Sequence, residues 1–218
     1  MGLTIPEVDK VLAPYLKKTH KLLLNEMVED MNYTTGGSIP DYKRLSKRAL
    51  DKAIVMLEDG LQGIEYKANS VGSSRGDYPF ITFSFGEDTD NMYSRLVAEA
   101  ILKVRKNGQG KKGKKKCVLF PKLVFLYVEE KHGEGQPYEY LYDRAIECSA
   151  KAMYPDYLSL SGEGYVPEMY KKYGKIVSCM GCRAFLSPWF KRGGMYPADE
   201  HDEPVFIGRA NIGKQCAA

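Results

Sequence analysis

The chain has 218 residues, of which 44% are apolar and 28% are charged. This composition is typical of a globular protein and excludes a disordered tail, and no apolar run approaches the roughly 18 residues of a membrane-spanning helix. The first residues lack the basic flank and apolar stretch of a secretory signal, so we expect a cytoplasmic protein with no membrane partner. Five cysteines, an odd number, favour free thiols over a disulfide framework.

Two amphipathic helices are predicted in the first third of the chain. Thr4 and Pro6 are typical of a helix start, and apolar residues recur near a period of 3.6 up to Met31. A second helical pattern runs from Leu45 to Ile64, after a break at 32–40. We therefore expect an antiparallel helix pair over residues 1–70, which fits either a dimer interface or a cover over the rest of the fold.

From Val71 onwards, predicted strands alternate with predicted helices. The strands are expected at 78–85, 117–128, 175–178 and 205–207, and the helices at 91–106 and 137–153. This order is typical of an α/β fold with parallel pairing, in which the chemistry lies at the carboxyl ends of the strands.

A basic run covers the end of the predicted helix 91–106 and the connection to the predicted strand 117–128. From Lys103 to Lys116 there are eight bases and no acid. Such a run can bind a polyanion, but its three glycines and lack of aromatic residues favour a solvated loop. We therefore do not expect nucleic acid as a partner.

The most informative stretch is Ser178-Cys179-Met180-Gly181-Cys182-Arg183. The C-x-x-C spacing of Cys179 and Cys182 occurs in zinc sites and redox dithiols, but no second cysteine pair completes a zinc site. The residues alone favour two small buried hydrophobic side chains, and no metal site is predicted.

Four motifs in order resemble the central part of the anaerobic (class III) ribonucleoside-triphosphate reductases, a glycyl-radical family. They are Leu119–Phe125, Ala145–Asp156, Met180–Arg183 and Gly208–Gly213. The match extends upstream through 57–69, 74–76 and 79–83, and covers most of 45–213. The resemblance implies that residues 71–213 form part of a ten-stranded α/β barrel, with residues 214–218 as a tail foreign to the family.

The resemblance also implies site residues. Cys182, at the tip of a finger-like loop, matches the cysteine that becomes a thiyl radical and abstracts the 3′-hydrogen of the ribose. Asn211 matches an asparagine near the substrate hydroxyls, although the residue alone favours a turn. Five weaker candidates for substrate binding follow from the affinity of arginine and glycine-rich backbone for phosphate, and each also fits a structural role: Ser74, Arg75, Gly76, Gly181 and Arg183.

The implied cofactors and partners lie outside this sequence. They are ribonucleoside triphosphates as substrates, nucleoside triphosphate effectors, formate as reductant, a segment carrying the glycyl radical, and an S-adenosylmethionine iron–sulfur activase. The glycyl-radical motif and the zinc site with two cysteine pairs have no counterpart here, and Ala184 replaces a common serine. We expect an interrupted reading frame, either a split gene whose product needs a partner chain or a non-catalytic nucleotide-binding remnant.

Overall fold

The computed structural model describes residues 2–35, 41–70, 72, 80–111, 113–176, 179–180, 184–185 and 210–211. Within these ranges the strands are β1 (Gly2–Ile5), β2 (Phe80–Phe85), β3 (Lys122–Tyr127), β4 (Asp156–Ser159), β5 (Cys179–Met180), β6 (Ala184–Phe185) and β7 (Ala210–Asn211). The helices are α1 (Val8–Thr35), α2 (Tyr42–Ser70), α3 (Met92–Asn107), α4 (Glu129–His132), α5 (Glu139–Ala152) and α6 (Tyr165–Tyr173).

Five strands form one sheet in the order β4-β3-β2-β1-β7. The four strands β1 to β4 are parallel to one another, whereas β7 is antiparallel to β1. The predicted α/β class with parallel pairing is thereby confirmed, because β2, α3, β3, α5 and β4 follow one another as strand, helix, strand, helix and strand. The described strands are consistent with part of a barrel, and the complete ten-stranded barrel stays a prediction.

The first strand is the main difference from the sequence analysis. Thr4 and Pro6 were interpreted as the start of a helix, but residues 2–5 form β1 and the helix begins at Val8. The reason is tertiary: β1 pairs with both β2 and β7, and these partners lie far along the chain. A four-residue segment carries too little periodicity to indicate such pairing.

The helices α1, α2, α3 and α5 cover one face of the sheet. Ile81, Phe83 and Phe85 of β2 face them, and α1 packs against both α2 and α3, so the two predicted amphipathic helices are confirmed. Cys148 of α5 is buried in the same core. Of the cysteines whose side chains are described, Cys117 and Cys148 are both free thiols.

A smaller core lies between β3, β4 and α6. The sequence analysis predicted neither β4 nor α6. Val166 and Met169 of α6 pack with Leu126 and Leu160. Leu126 alternates along β3 with Phe125 and Tyr127, which face the larger core, so α6 covers the opposite face of the sheet.

Arg105 of α3 is fully buried between α2 and the start of β3. Its Nε donates to Glu65 Oε1 at 2.7 Å, and its Nη2 donates to the Pro121 carbonyl at 2.6 Å. Glu65 also accepts a hydrogen bond from the Gln109 amide at 3.2 Å. The pair therefore ties α2, α3 and β3 together, and both of its side chains are more than nine-tenths buried.

Removing one partner of this pair should destabilise the fold strongly. Arg105→Ala leaves the Glu65 carboxylate buried without its cation, which costs about 3–5 kcal/mol in the free energy of unfolding. Lys106→Ala, which removes an exposed ion pair to Glu147, should cost less than about 1 kcal/mol. Urea unfolding of both variants tests this, and equal effects would contradict the structural role of the buried pair.

Candidate functional site

On the face of the sheet opposite the four helices, β1 and β2 carry polar side chains. Thr82 and Ser84 alternate with the core residues of β2 and are both buried. The strand register aligns Thr4, Thr82 and Lys122 in one row across β1, β2 and β3. We call this row the polar row. The sequence analysis did not single it out, although the alternation in Phe80–Phe85 could have indicated it.

The two hydroxyl groups of β2 differ in their hydrogen bonds. Ser84 Oγ accepts a hydrogen bond from the Glu7 backbone N–H at 3.1 Å, which fixes the chain between β1 and α1. Thr82 Oγ1 is buried and makes no hydrogen bond within the described part of the chain. A buried hydroxyl without a partner costs about 1–3 kcal/mol, a cost that a polar ligand can remove.

Asn211, predicted near the substrate hydroxyls, lies in β7 beside the polar row. It pairs with Gly2 of β1, two positions before Thr4, and Ala210 pairs with Leu3. Residues of one strand that are two positions apart belong to the same face. The structure therefore places the Asn211 backbone at the edge of β1 next to this row.

The chain on both sides of Cys182 forms an antiparallel pair. Cys179 lies opposite Phe185 and Met180 lies opposite Ala184, so Cys182 is in the three-residue connection between β5 and β6. The strand β5 also contacts β1. The segments that carry Cys182 and Asn211, 29 positions apart in the sequence, thus converge on β1.

The remaining predicted site residues lie outside the described residues. This holds for Cys182, Gly181 and Arg183, and for the segment Ser74–Gly76, which precedes β2. Their roles stay predictions. In the described part of the chain, no group of three or more His, Cys, Asp or Glu side chains could hold a metal ion, and no helix could cross a membrane.

A charged cluster connects α6 to the carboxyl ends of β2 and β3. Glu87 Oε1 accepts hydrogen bonds from Tyr170 at 2.6 Å and from Lys131 at 2.9 Å. Burial raises the pKa of Glu87, but the hydrogen bonds from Tyr170 and Lys131 outweigh it, so the pKa lies below its ordinary value. The carboxylate anchors α6, the helix from which the chain continues towards β5.

Two further buried titratable groups lie at the same edge of the sheet. Asp9 Oδ2 accepts a hydrogen bond from the Gly86 N–H at 2.8 Å, and burial raises the pKa of this carboxyl to about 7. His132 Nδ1 accepts a hydrogen bond from the Val128 N–H at 3.1 Å, and burial lowers the pKa of its ring to about 4. The sequence analysis missed Asp9, Glu87 and His132 because their partners and their burial depend on the tertiary fold.

Comparison with known proteins identifies one family. A family model described as anaerobic ribonucleoside-triphosphate reductase matches residues 2–215. The chain is 34% identical over 213 residues to the anaerobic ribonucleoside-triphosphate reductase of Haemophilus influenzae and 33% identical over 213 residues to that of Escherichia coli. It is 34% identical over 214 residues to the enzyme of the same name from Enterobacteria phage T4.

These alignments cover 97% of this chain but only 26% of each bacterial relative and 31% of the phage relative. The chain therefore spans less than a third of the length of the curated relatives that it matches.

The raised pKa of Asp9 predicts a pH-dependent stability. Its pKa of about 7 in the folded chain lies above the ordinary 3.8, so the folded state holds this proton more tightly than the unfolded state. The resulting stabilisation is complete below about pH 4 and is lost as the pH rises through 7. Asp9→Asn removes this dependence, and the stability of the variant relative to the parent chain should rise by roughly 2–4 kcal/mol from pH 5 to pH 8.

Urea unfolding of both proteins at the two pH values measures this difference. The comparison cancels the contributions of the other titrating groups. A stability difference that is the same at pH 5 and pH 8 would show that Asp9 is ionised in the folded chain.

Proposed function

The chain belongs to the family of anaerobic ribonucleoside-triphosphate reductases, and we propose that it supplies such an enzyme with the hydrogen-abstracting thiol and part of the nucleotide pocket. The observation that carries this proposal is the convergence on β1 of two segments. These are the pair of strands on either side of Cys182 and the strand β7 with Asn211.

Cys182 acts as the hydrogen-abstracting residue in this proposal. A glycyl radical, supplied by another segment and installed by an S-adenosylmethionine iron–sulfur activase, would remove the hydrogen atom from its thiol. The resulting thiyl sulfur takes the 3′-hydrogen of the ribose, so that one S–H bond forms as one C–H bond breaks. Because these bonds are close in strength, the transfer is reversible, which a serine hydroxyl does not allow.

Asn211 orients the ribose in the same proposal. A side-chain amide both donates and accepts hydrogen bonds, and it has no acidic proton to release to a radical intermediate. Its position in β7, paired to the strand that β5 contacts, supports a role beside the sulfur. The buried hydroxyl of Thr82 in β2, which has no hydrogen-bond partner within the described residues, is a further polar group beside this site.

The triphosphate is proposed to bind at the predicted phosphate-binding residues. The guanidinium groups of Arg75 and Arg183 suit charge-assisted hydrogen bonds to phosphate oxygens, and the backbone at Ser74, Gly76 and Gly181 suits close approach. Residues 74–76 precede β2 of the five-stranded sheet, whereas Cys182 lies between β5 and β6 of the two-stranded sheet. In this proposal formate is the reductant and nucleoside triphosphates act as effectors. The rest of the enzyme would supply the zinc site and the remaining strands of a ten-stranded barrel.

The decisive variant is Cys182→Ser. The chain is mixed anaerobically with a polypeptide that carries the remaining reductase segments and with the activase, and formation of deoxyribonucleotide is measured. We expect Cys182→Ser to abolish product while nucleotide affinity stays within about twofold, because the substitution removes the abstractable S–H bond and little else. Cys117→Ser, at an exposed cysteine whose thiol contacts the Lys151 carbonyl, is the matched control and should retain activity.

Two results would contradict the proposal. Equal activity of Cys182→Ser and the parent chain would exclude Cys182 as the abstracting residue. Nucleotide binding without product in the parent mixture would instead assign the chain to the second candidate function, a non-catalytic nucleotide-binding module.

A further inference from the structure

The fold divides the basic run of residues 103–116 into two parts with different surroundings. The three bases in α3 each face a carboxylate of a neighbouring helix. The pairs are Lys103 with Glu58, Arg105 with Glu65 and Lys106 with Glu147. Each of these three bases therefore has an opposite charge beside it within the protein.

The second part of the run is a hairpin with fixed ends. Gln109 and Lys116 exchange two backbone hydrogen bonds of 2.9 and 2.8 Å. The Gln109 side chain donates to the Gln62 carbonyl at 3.1 Å, which attaches this hairpin to α2. Gly108 has a φ of 68°, and a Cβ there would lie 2.6 Å from the Lys116 carbonyl oxygen. We call residues 109–116 the basic hairpin.

The lysines of the basic hairpin are exposed and have no acidic partner in the described part of the chain. They are Lys111, Lys114, Lys115 and Lys116, while Lys112 lies outside the described residues. No acidic residue occurs between 109 and 116. The hairpin thus holds several like charges close together, and a polyanion relieves their mutual repulsion.

The composition of the hairpin indicates the class of polyanion. Proteins that bind single-stranded nucleic acid stack aromatic side chains on the bases, and residues 109–116 contain no aromatic residue. Lysines alone contact phosphates without reading sequence, and a duplex presents one negative charge per roughly 1.7 Å of its axis. We propose that the basic hairpin binds the phosphate backbone of duplex nucleic acid, without sequence preference.

This proposal goes beyond the reductase function and revises one expectation. The sequence analysis expected a loop here and no nucleic-acid partner. The loop is confirmed, but its anchored ends and unneutralised lysines distinguish it from a mobile solvated segment.

Fluorescence anisotropy with a labelled 20-base-pair duplex tests the proposal on the whole chain. We expect the logarithm of the association constant to fall linearly with the logarithm of salt concentration, with a slope of about −3 to −4 for about four phosphate contacts. The triple variant Lys114→Gln, Lys115→Gln, Lys116→Gln should bind at least about tenfold more weakly and reduce the steepness of that slope by about 3. A matched control, Lys17→Gln, Lys18→Gln, Lys21→Gln, makes the same charge change at exposed positions of α1 and should stay within about twofold of the parent chain.

Four results would overturn the proposal. They are no duplex binding at 50 mM salt, equal weakening by both triple variants, tighter binding to a single strand of the same length, and binding to poly-L-glutamate as tight as to the duplex. The second would assign the effect to net charge alone, and the last would favour an acidic protein partner. None of these measurements depends on reductase activity, so the outcome is independent of the proposed function.

Discussion

The pairing of β1 on both of its edges is the constraint on which the candidate site depends. β1 hydrogen-bonds to β2 on one side and to β7 on the other, and β5 contacts it as well. A four-residue strand at the start of the chain thereby joins segments from residue 80 to residue 211. The segments carrying Cys182 and Asn211 thus have β1 as a common neighbour.

The rest of the fold supports this strand from both faces. Four helices cover one face, and the buried pair of Arg105 and Glu65 ties two of them to the entry of β3. On the other face, Glu87 anchors α6, and the chain runs from this helix towards β5. The polar row lies in the same sheet, on the face opposite the four helices. On this face β1, β2 and the start of β3 carry hydroxyl and amine groups, whereas Leu126 further along β3 packs against α6.

The sequence predicts those elements whose pattern is long and local. β2, α3, β3 and α5 lie within the predicted segments or within one residue of their ends, because each combines clear periodicity with end signals such as Asn91, whose side chain caps α3. β1, β4 and α6 were not predicted, because they are short and are stabilised by partners far along the chain. The same limit applies to the candidate site. The resemblance to a family indicated Cys182 and Asn211 from the sequence. Only the tertiary fold shows that Asn211 lies beside Gly2 and that Tyr170 contacts Glu87, 83 positions away.

The most direct test of this account is a cross-link between β1 and β7. Leu3 and Ala210 lie directly opposite each other, and the Cα spacing of opposed antiparallel residues falls within the range that a disulfide spans. The double variant Leu3→Cys, Ala210→Cys should form a cross-link under mild oxidation, identified by peptide mass spectrometry, well above the background of either single variant. Absence of a cross-link between the two introduced cysteines would contradict the convergence on β1, and with it the proposed assembly of the site.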